Sequence, residues 1–287
     1  MKSQGSRSNW GRAGLVLAAA SVTMLAAFAG IATAIHDGKG KKRIGRVSRS
    51  DAGATHLARA IFEGNGRRFV RAKFVTTPPG NGPVAIGNTN VAGFPRRGGS
   101  FAILSTGCAR LLDKSNFSDF TSCADGGSVV RGAKDVTIWR IRLTVPRGAN
   151  CLSFRFKFLS EEYPEFVGSE YNDAFLAEVG RTPRWYSSDT LSPKLQAPHN
   201  FAKTRDGNLI SVNATQNARV TRAAAKGTTY DAATGKLRAS TPVKPGPALL
   251  YLSILDQGDR QYDSSVMIDR LLVRKAGKCE SGVVGSR

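Results

Sequence analysis

Between Ser160 and Phe175 the chain carries Glu161, Glu162, Glu165, Glu170 and Asp173 and no base, although Lys+Arg outnumber Asp+Glu by 42 to 21 overall. Like charges gathered so closely repel one another, so they persist when water separates them or when a cation sits among them. Calcium takes about six to eight oxygens from carboxylates, amides, backbone carbonyls and water. Glu161, Glu162, Asn172 and Asp173 offer such oxygens around one bend, and Asp256, Asp259 and Asp263 offer a second set further along. The two sets can share one ion if they meet at the same end of the fold. Neither has the Asp-x-Asp-x-Asp-Gly order of an EF-hand loop. Two other uses compete: the acids can cap turns or pair with arginines, while Tyr163, Phe166, Tyr171 and Phe175 pack.

The same carboxylates pose an enzymatic alternative. Glu161 or Glu162 with Asp173 or Asp259 could act as the acid and the base or nucleophile of a glycan hydrolase. Nucleophilic hydrolysis has less to build on. Of His36, His56 and His199, only His199 falls in a loop of the body, and no Gly-x-Ser-x-Gly elbow occurs.

Strands must position the acids. Pro164 breaks a helix and Gly168 tolerates unusual backbone angles, so the acidic stretch reads as a bent loop between two strands. Leu152, Phe154, Phe156 and Phe158 alternate with Ser153, Arg155 and Lys157, giving one face to a core and the other to water. Trp139, Ile141, Leu143 and Val145 do the same opposite Arg140 and Arg142. Further strands are expected over 69–75, 100–104, 174–179, 208–213, 248–255 and 264–273. One helix is expected, capped by Asp51, with Ala54, Leu57, Ala58 and Ile61 at helical spacing and Gly64 past its end. Two amphipathic sheets packed face to face give an all-β, jelly-roll-like β-sandwich with one short N-terminal helix.

Before this body, Lys2, Arg7 and Arg12 precede an uncharged run, Ala13 to Ala34, ending Ala-Thr-Ala. That pattern reads as a secretory signal peptide over 1–34 or, since the run can span a bilayer, as membrane attachment through 13–34. Either way the body is exported. Residues 35–50 read as a basic flexible linker in which Lys39, Lys41, Lys42 and Arg43 could hold an anionic polymer. The formal net charge is +21, and removing the three signal bases leaves +18. Specific nucleic-acid recognition is not expected, because no motif for it is present. Four cysteines in an exported chain suggest two disulfides, with three pairings possible. Cys108 with Cys123 and Cys151 with Cys279 are preferred, one closing a polar loop and the other tying the last strand to the Phe-rich one.

Three blocks carry a family resemblance. Ser160-Glu-Glu-Tyr-Pro-Glu-Phe-Val-Gly-Ser169, with Tyr171-Asn-Asp-Ala-Phe175 just after it, resembles the signature of the choice-of-anchor L domain, found in bacterial surface and secreted proteins. Ile103-Leu-Ser-Thr-Gly107 resembles its upstream turn, and Ile254 to Ser264, with Asp256, Gly258, Asp259, Tyr262 and Asp263, its downstream segment. The resemblance implies an extracellular, mostly β domain over 51–280, followed by a tail at 281–287. That tail lacks an apolar run or sorting motif, so surface retention is expected to rest on the N-terminal segment or on charge. Taken together, the expectation is a secreted or cell-surface binding or adhesion module with calcium in its acidic loops and a glycan or anionic polymer as partner. A glycan-hydrolysing enzyme or a polyanion-binding surface protein are the alternatives.

Overall fold

Two sheets, antiparallel except where β2 (Phe62–Glu63) runs parallel to β16 (Ser264–Arg274), take their hydrophobic faces from strict alternation along their central strands. The computed structural model describes residues 44–80, 82–115, 126–188, 194–213 and 218–286. The larger sheet holds β1 (Ile44–Arg46), β2 (Phe62–Glu63), β4 (Val84–Gly87), β5 (Phe101–Ser105), β7 (Cys151–Ser160), β12 (Val220–Thr221), β13 (Ala232–Thr234), β14 (Leu237–Pro242), β16 (Ser264–Arg274) and β17 (Gly282–Gly285). The smaller sheet runs in the order β11 (Ile210–Ser211), β8 (Ala174–Val179), β15 (Gly246–Asp256), β6 (Lys134–Val145), β3 (Arg71–Thr76). A separate ribbon pairs β9 (Tyr186–Ser187) with β10 (Leu195–Gln196). This is the all-β sandwich expected.

Trp139, Ile141, Leu143, Leu250, Leu252 and Ile254 of the smaller sheet meet Phe154, Phe156, Phe158, Val266 and Ile268 of the larger one in a single buried core. Phe156 and Phe175 bridge the layers with ring centroids 5.1 Å apart. Helix α1 (Asp51–Ile61) buries Ala54, Leu57, Ala58 and Ile61 against this core. Its N-cap is Ser50 and not Asp51: the Ser50 hydroxyl accepts from the Gly53 N–H at 3.3 Å, and Asp51 is the first helical residue. A second helix, α2 (Arg222–Ala225), is a single turn capped by Thr221.

Two expectations are corrected. The outer face of β7 meets water only in part: Arg155 is half-buried, but toward the end of the strand Met267, Leu159, Phe94, Phe101, Ala233 and Tyr230 build a second core. Lys157 is buried in it, donating to the Ala224 carbonyl at 2.6 Å, and burial pushes its ammonium down to about 8. The basic linker does not extend to residue 50, since Ile44–Arg46 pairs with β4 and Arg49 donates to the Pro78 carbonyl. The expected tail at 281–287 holds a strand: β17 (Gly282–Gly285) hydrogen-bonds along β14 from Leu237 to Ser240.

The Cys151–Cys279 disulfide is present. Cys108 is also disulfide-bonded, and Cys123 lies outside the described residues. The signal segment 1–34, with its membrane-spanning alternative, and Lys39, Lys41, Lys42 and Arg43 lie outside them too. No helix among the described residues is long and apolar enough to cross a membrane.

Candidate functional site

All three signature blocks converge where β7, β15 and β6 reach the same edge of the sandwich. Glu161 and Glu162 follow β7, Asp173 immediately precedes β8, Asp256 ends β15, and Asp263 immediately precedes β16. Backbone bonds lock these segments together. The Glu161 N–H donates to the Asp263 carbonyl at 3.1 Å, and the Asn172 N–H to the Gln257 carbonyl at 3.2 Å. The Asp173 N–H donates to Glu162 Oε2 at 3.0 Å, and the Gln257 N–H to Asp173 Oδ1 at 3.4 Å. A β-bulge between Ile254 and Asp256 breaks the register with β6 where the strand enters the site, a distortion that re-aims side chains.

The loop is bent as its residues demand, with a cis Tyr163–Pro164 bond and Gly168 at φ +87°. The acids are not displayed on it, however. Glu161 and Glu162 are each 1% exposed and Asp173 is fully buried, whereas Glu165 and Glu170 point to water. Asp256 and Asp263 are buried as well, while Asp259 and Asn172 are half-buried at the rim. Asn172 Oδ1 accepts from the Asn213 N–H at 3.1 Å, and Asp259 Oδ1 from the Gln261 N–H at 3.1 Å.

Burial is the first cause that pushes the Glu162, Asp173 and Asp256 carboxyls toward their neutral forms. Glu162 is raised to about 8, with the backbone N–H of Asp173 opposing and the Asp259 charge adding. Asp173 is driven well above the carboxylate range by burial and then by Glu162 and Asp256, with Asp263 adding less and a hydrogen bond to Ser264 opposing. Asp256 is raised likewise by burial and then by Glu162, Asp259, Asp135 and Asp263. Among the described residues no ion pair reaches Glu162, Asp173 or Asp256. Each also keeps one buried oxygen without a hydrogen-bond donor: Glu162 Oε1, Asp173 Oδ2 and Asp256 Oδ1. The bases stand further out, where Lys134 Nζ donates to the Gly258 carbonyl at 2.6 Å and Arg260 pairs with Asp135 at 2.9 Å.

Hydroxyls form the floor. Ser264 Oγ donates to Ser160 Oγ at 2.9 Å, Ser105 Oγ donates to the Ser264 carbonyl at 3.0 Å, and Thr106 Oγ1 accepts from the Ser264 N–H at 2.9 Å. Tyr230, hydrogen-bonded to Ser105 and Ser265, has its phenol pushed up by burial and then by the Asp263 charge. Sequence reasoning did not assign roles to Ser105, Thr106, Ser160 or Ser264, although they lie inside the quoted blocks. Asp135, Gln257 and Tyr230 were missed as well; Asp135 and Tyr230 carry no local signal, because only the long-range strand pairing brings them here.

Three converging signature blocks and a buried carboxylate cluster on a two-sheet antiparallel sandwich define the class, a β-sandwich module with an acidic rim. Residues 102–271 match the Choice-of-anchor L domain, and the chain belongs to that family. No curated protein matches the chain. Among solved structures it is similar to the carbohydrate-binding module TmCBM61 in complex with β-1,4-galactotriose, at 8% identity and TM-score 0.30, covering 72% of this chain and 88% of that one. It is also similar to the enzymatically active domain of tailspike protein 4 of bacteriophage CBA120, at 10% identity and TM-score 0.26, covering 74% of this chain and 22% of that one.

Proposed function

We propose that this is an exported, non-catalytic surface-binding module whose acidic rim holds a calcium ion that fixes three loops to one another. The observation that carries this is the set of buried carboxyl oxygens on Glu162, Asp173 and Asp256 that no donor satisfies. An isolated buried carboxylate costs several kcal/mol unless it is protonated or compensated by a cation. Among the described residues no three acidic, His or Cys groups already stand as a finished ligand set. Calcium does not need one, since about half of its oxygens can come from carbonyls and water. Glu162, Asp173 and Asp256 would supply charge, and the half-buried Asn172 and Asp259 would close the rim. The ion would supply charge neutralisation and no bond-breaking chemistry. Family membership, which goes with bacterial surface and secreted proteins, supports the location.

Burial weighs against the hydrolytic alternative. A glycosidase pair must touch the scissile bond from both sides, and Glu161 and Glu162 at 1% exposure offer no face to a sugar ring. Thermal melting in calcium and then in chelator tests the cation. The melting temperature is expected to rise by roughly 5–10 °C at calcium about a hundredfold above its Kd. Equal melting temperatures, with no metal found by elemental analysis, would overturn the proposal.

A further inference from the structure

The outer face of the smaller sheet is divided into two halves. Near the acidic rim it is covered, because Trp185 and the chain around it bury Val136, Ile138, Leu176, Tyr251 and Leu255. Further along the same strands the cover stops and the outward positions become basic. Arg142 lies directly opposite Arg71 on β3, and Arg140 directly opposite Lys73. Like charges placed directly across two strands destabilise a sheet, so a fold gains nothing from this arrangement by itself. Arg71 is partly occupied by donating to the Arg68 and Val70 carbonyls. Arg140 and Arg142 have no ion pair among the described residues, and Arg140 Nε is buried without a hydrogen-bond acceptor. The acid in the row of Arg140, Glu178 on the far side of Tyr251, accepts from the backbone N–H of Arg184.

A cleft of about 740 Å³ opens beside them. Its walls bring Arg140, Arg142, Arg181 and Lys244 together with no acid, over an apolar floor that includes Leu249 and Pro247. Leu249 stands seven residues from Asp256 along β15, about 24 Å at the rise of an extended strand. The cleft is therefore separate from the acidic rim.

We infer that this cleft and the basic sheet face beside it bind an acidic polysaccharide, a sugar chain bearing carboxylates. Guanidinium groups match carboxylates with paired hydrogen bonds. The apolar floor suits the C–H face of a sugar ring. No aromatic side chain lines the cleft, whereas single-stranded nucleic acid is held by stacking on aromatics. The inference supplies a ligand class for the binding role proposed above and depends on that role only for an extracellular setting.

The test is retention of the full chain on immobilised hyaluronan, with neutral dextran and duplex DNA in parallel, at about 50 and 200 mM salt and with chelator present throughout. Wild type is expected to bind hyaluronan and not dextran. Arg140→Gln/Arg142→Gln is expected to bind at least tenfold more weakly and with a shallower salt dependence. Arg205→Gln/Lys278→Gln, which removes the same charge elsewhere, is expected to bind as wild type does. A chain with Lys39, Lys41, Lys42 and Arg43 all changed to Gln is expected to keep most of its affinity. Equal loss from the two double variants, no loss from the cleft variant, full loss from the tail variant, or tighter binding of DNA would each overturn the inference. The cleft variant should melt no lower than wild type, which separates lost contacts from lost folding. With chelator present, a failure of the calcium proposal leaves this readout unchanged.

Discussion

Glu162 accepts one backbone hydrogen bond on Oε2 and none on the buried Oε1, so its site suits either a neutral group or a carboxylate beside a cation. The two cases separate in chelator. A carboxyl raised from 4.5 to about 8 keeps its proton in the folded state after the unfolded chain has released it. Its contribution to stability is therefore complete below pH 4.5 and is lost as pH rises through about 8. Metal-free protein is expected to lose stability across that window. Glu162→Gln, which keeps the acceptor and removes the charge, should flatten the profile and raise metal-free stability at pH 8 by on the order of a few kcal/mol. The same variant should lose most of the calcium-induced rise in melting temperature. Denaturant melts at pH 5 and pH 8, with and without calcium, measure all three. A variant that melts below wild type in chelator at pH 8 would show that the carboxylate is not under strain there. Clustering of the acids was legible, because five of them stood together in a basic chain. The burial of Glu161, Glu162 and Asp173 was not, since a loop rich in Glu, Pro and Gly reads as exposed until Ser105, Thr106, Ser264 and Tyr230 are brought beneath it by β5, β16 and the segment before β13.

Among the elements, β6 shows both what periodicity reveals and what it leaves out. Its alternation correctly assigned Trp139, Ile141, Leu143 and Val145 to the core and Arg140 and Arg142 to the outside. That Arg142 would face Arg71 depends on the register with β3, which no local pattern encodes. The outer face of β7 misled for a related reason: Lys157 has the polarity of a surface residue, and only the packing of α2 and β13 places it inside. Short strands such as β4, β14 and β17 were missed because they borrow their order from neighbours already in the sheet. The opposed bases give a prediction at this scale. Arg142→Thr, which puts a strand-favouring neutral residue opposite Arg71, is expected to stabilise the fold by about 0.2–1 kcal/mol. Urea midpoints would measure it, and a loss of stability would mean that Arg142 is held by favourable contacts.

At the scale of the molecule, the sandwich is fastened differently at its two ends. Around the acidic rim, three loops meet through backbone bonds and buried carboxylates. At the far end of β7, Cys151 is bonded to Cys279 across a separation of 128 residues, and Cys151 pairs in register with Pro242 at the mouth of the basic cleft. Asn150 reinforces this end: its carbonyl accepts from the Val243 N–H at 3.0 Å, and its side-chain amide donates to the Ala276 carbonyl at 2.9 Å. Cys151→Ala/Cys279→Ala is therefore expected to cost about 2–5 kcal/mol and to loosen the wall that carries Val243 and Lys244. Chelation should weaken the opposite end alone. Perturbations this far apart, sharing no partner, should add to within about 0.5 kcal/mol, so the disulfide variant in chelator is expected to lose the sum of the two separate losses. Hyaluronan retention should fall in the disulfide variant and stay unchanged in chelator. Chemical denaturation of the four combinations, read beside retention on the polymer, checks both statements. A coupling well above that limit would mean that the rim and the cleft form one cooperative unit.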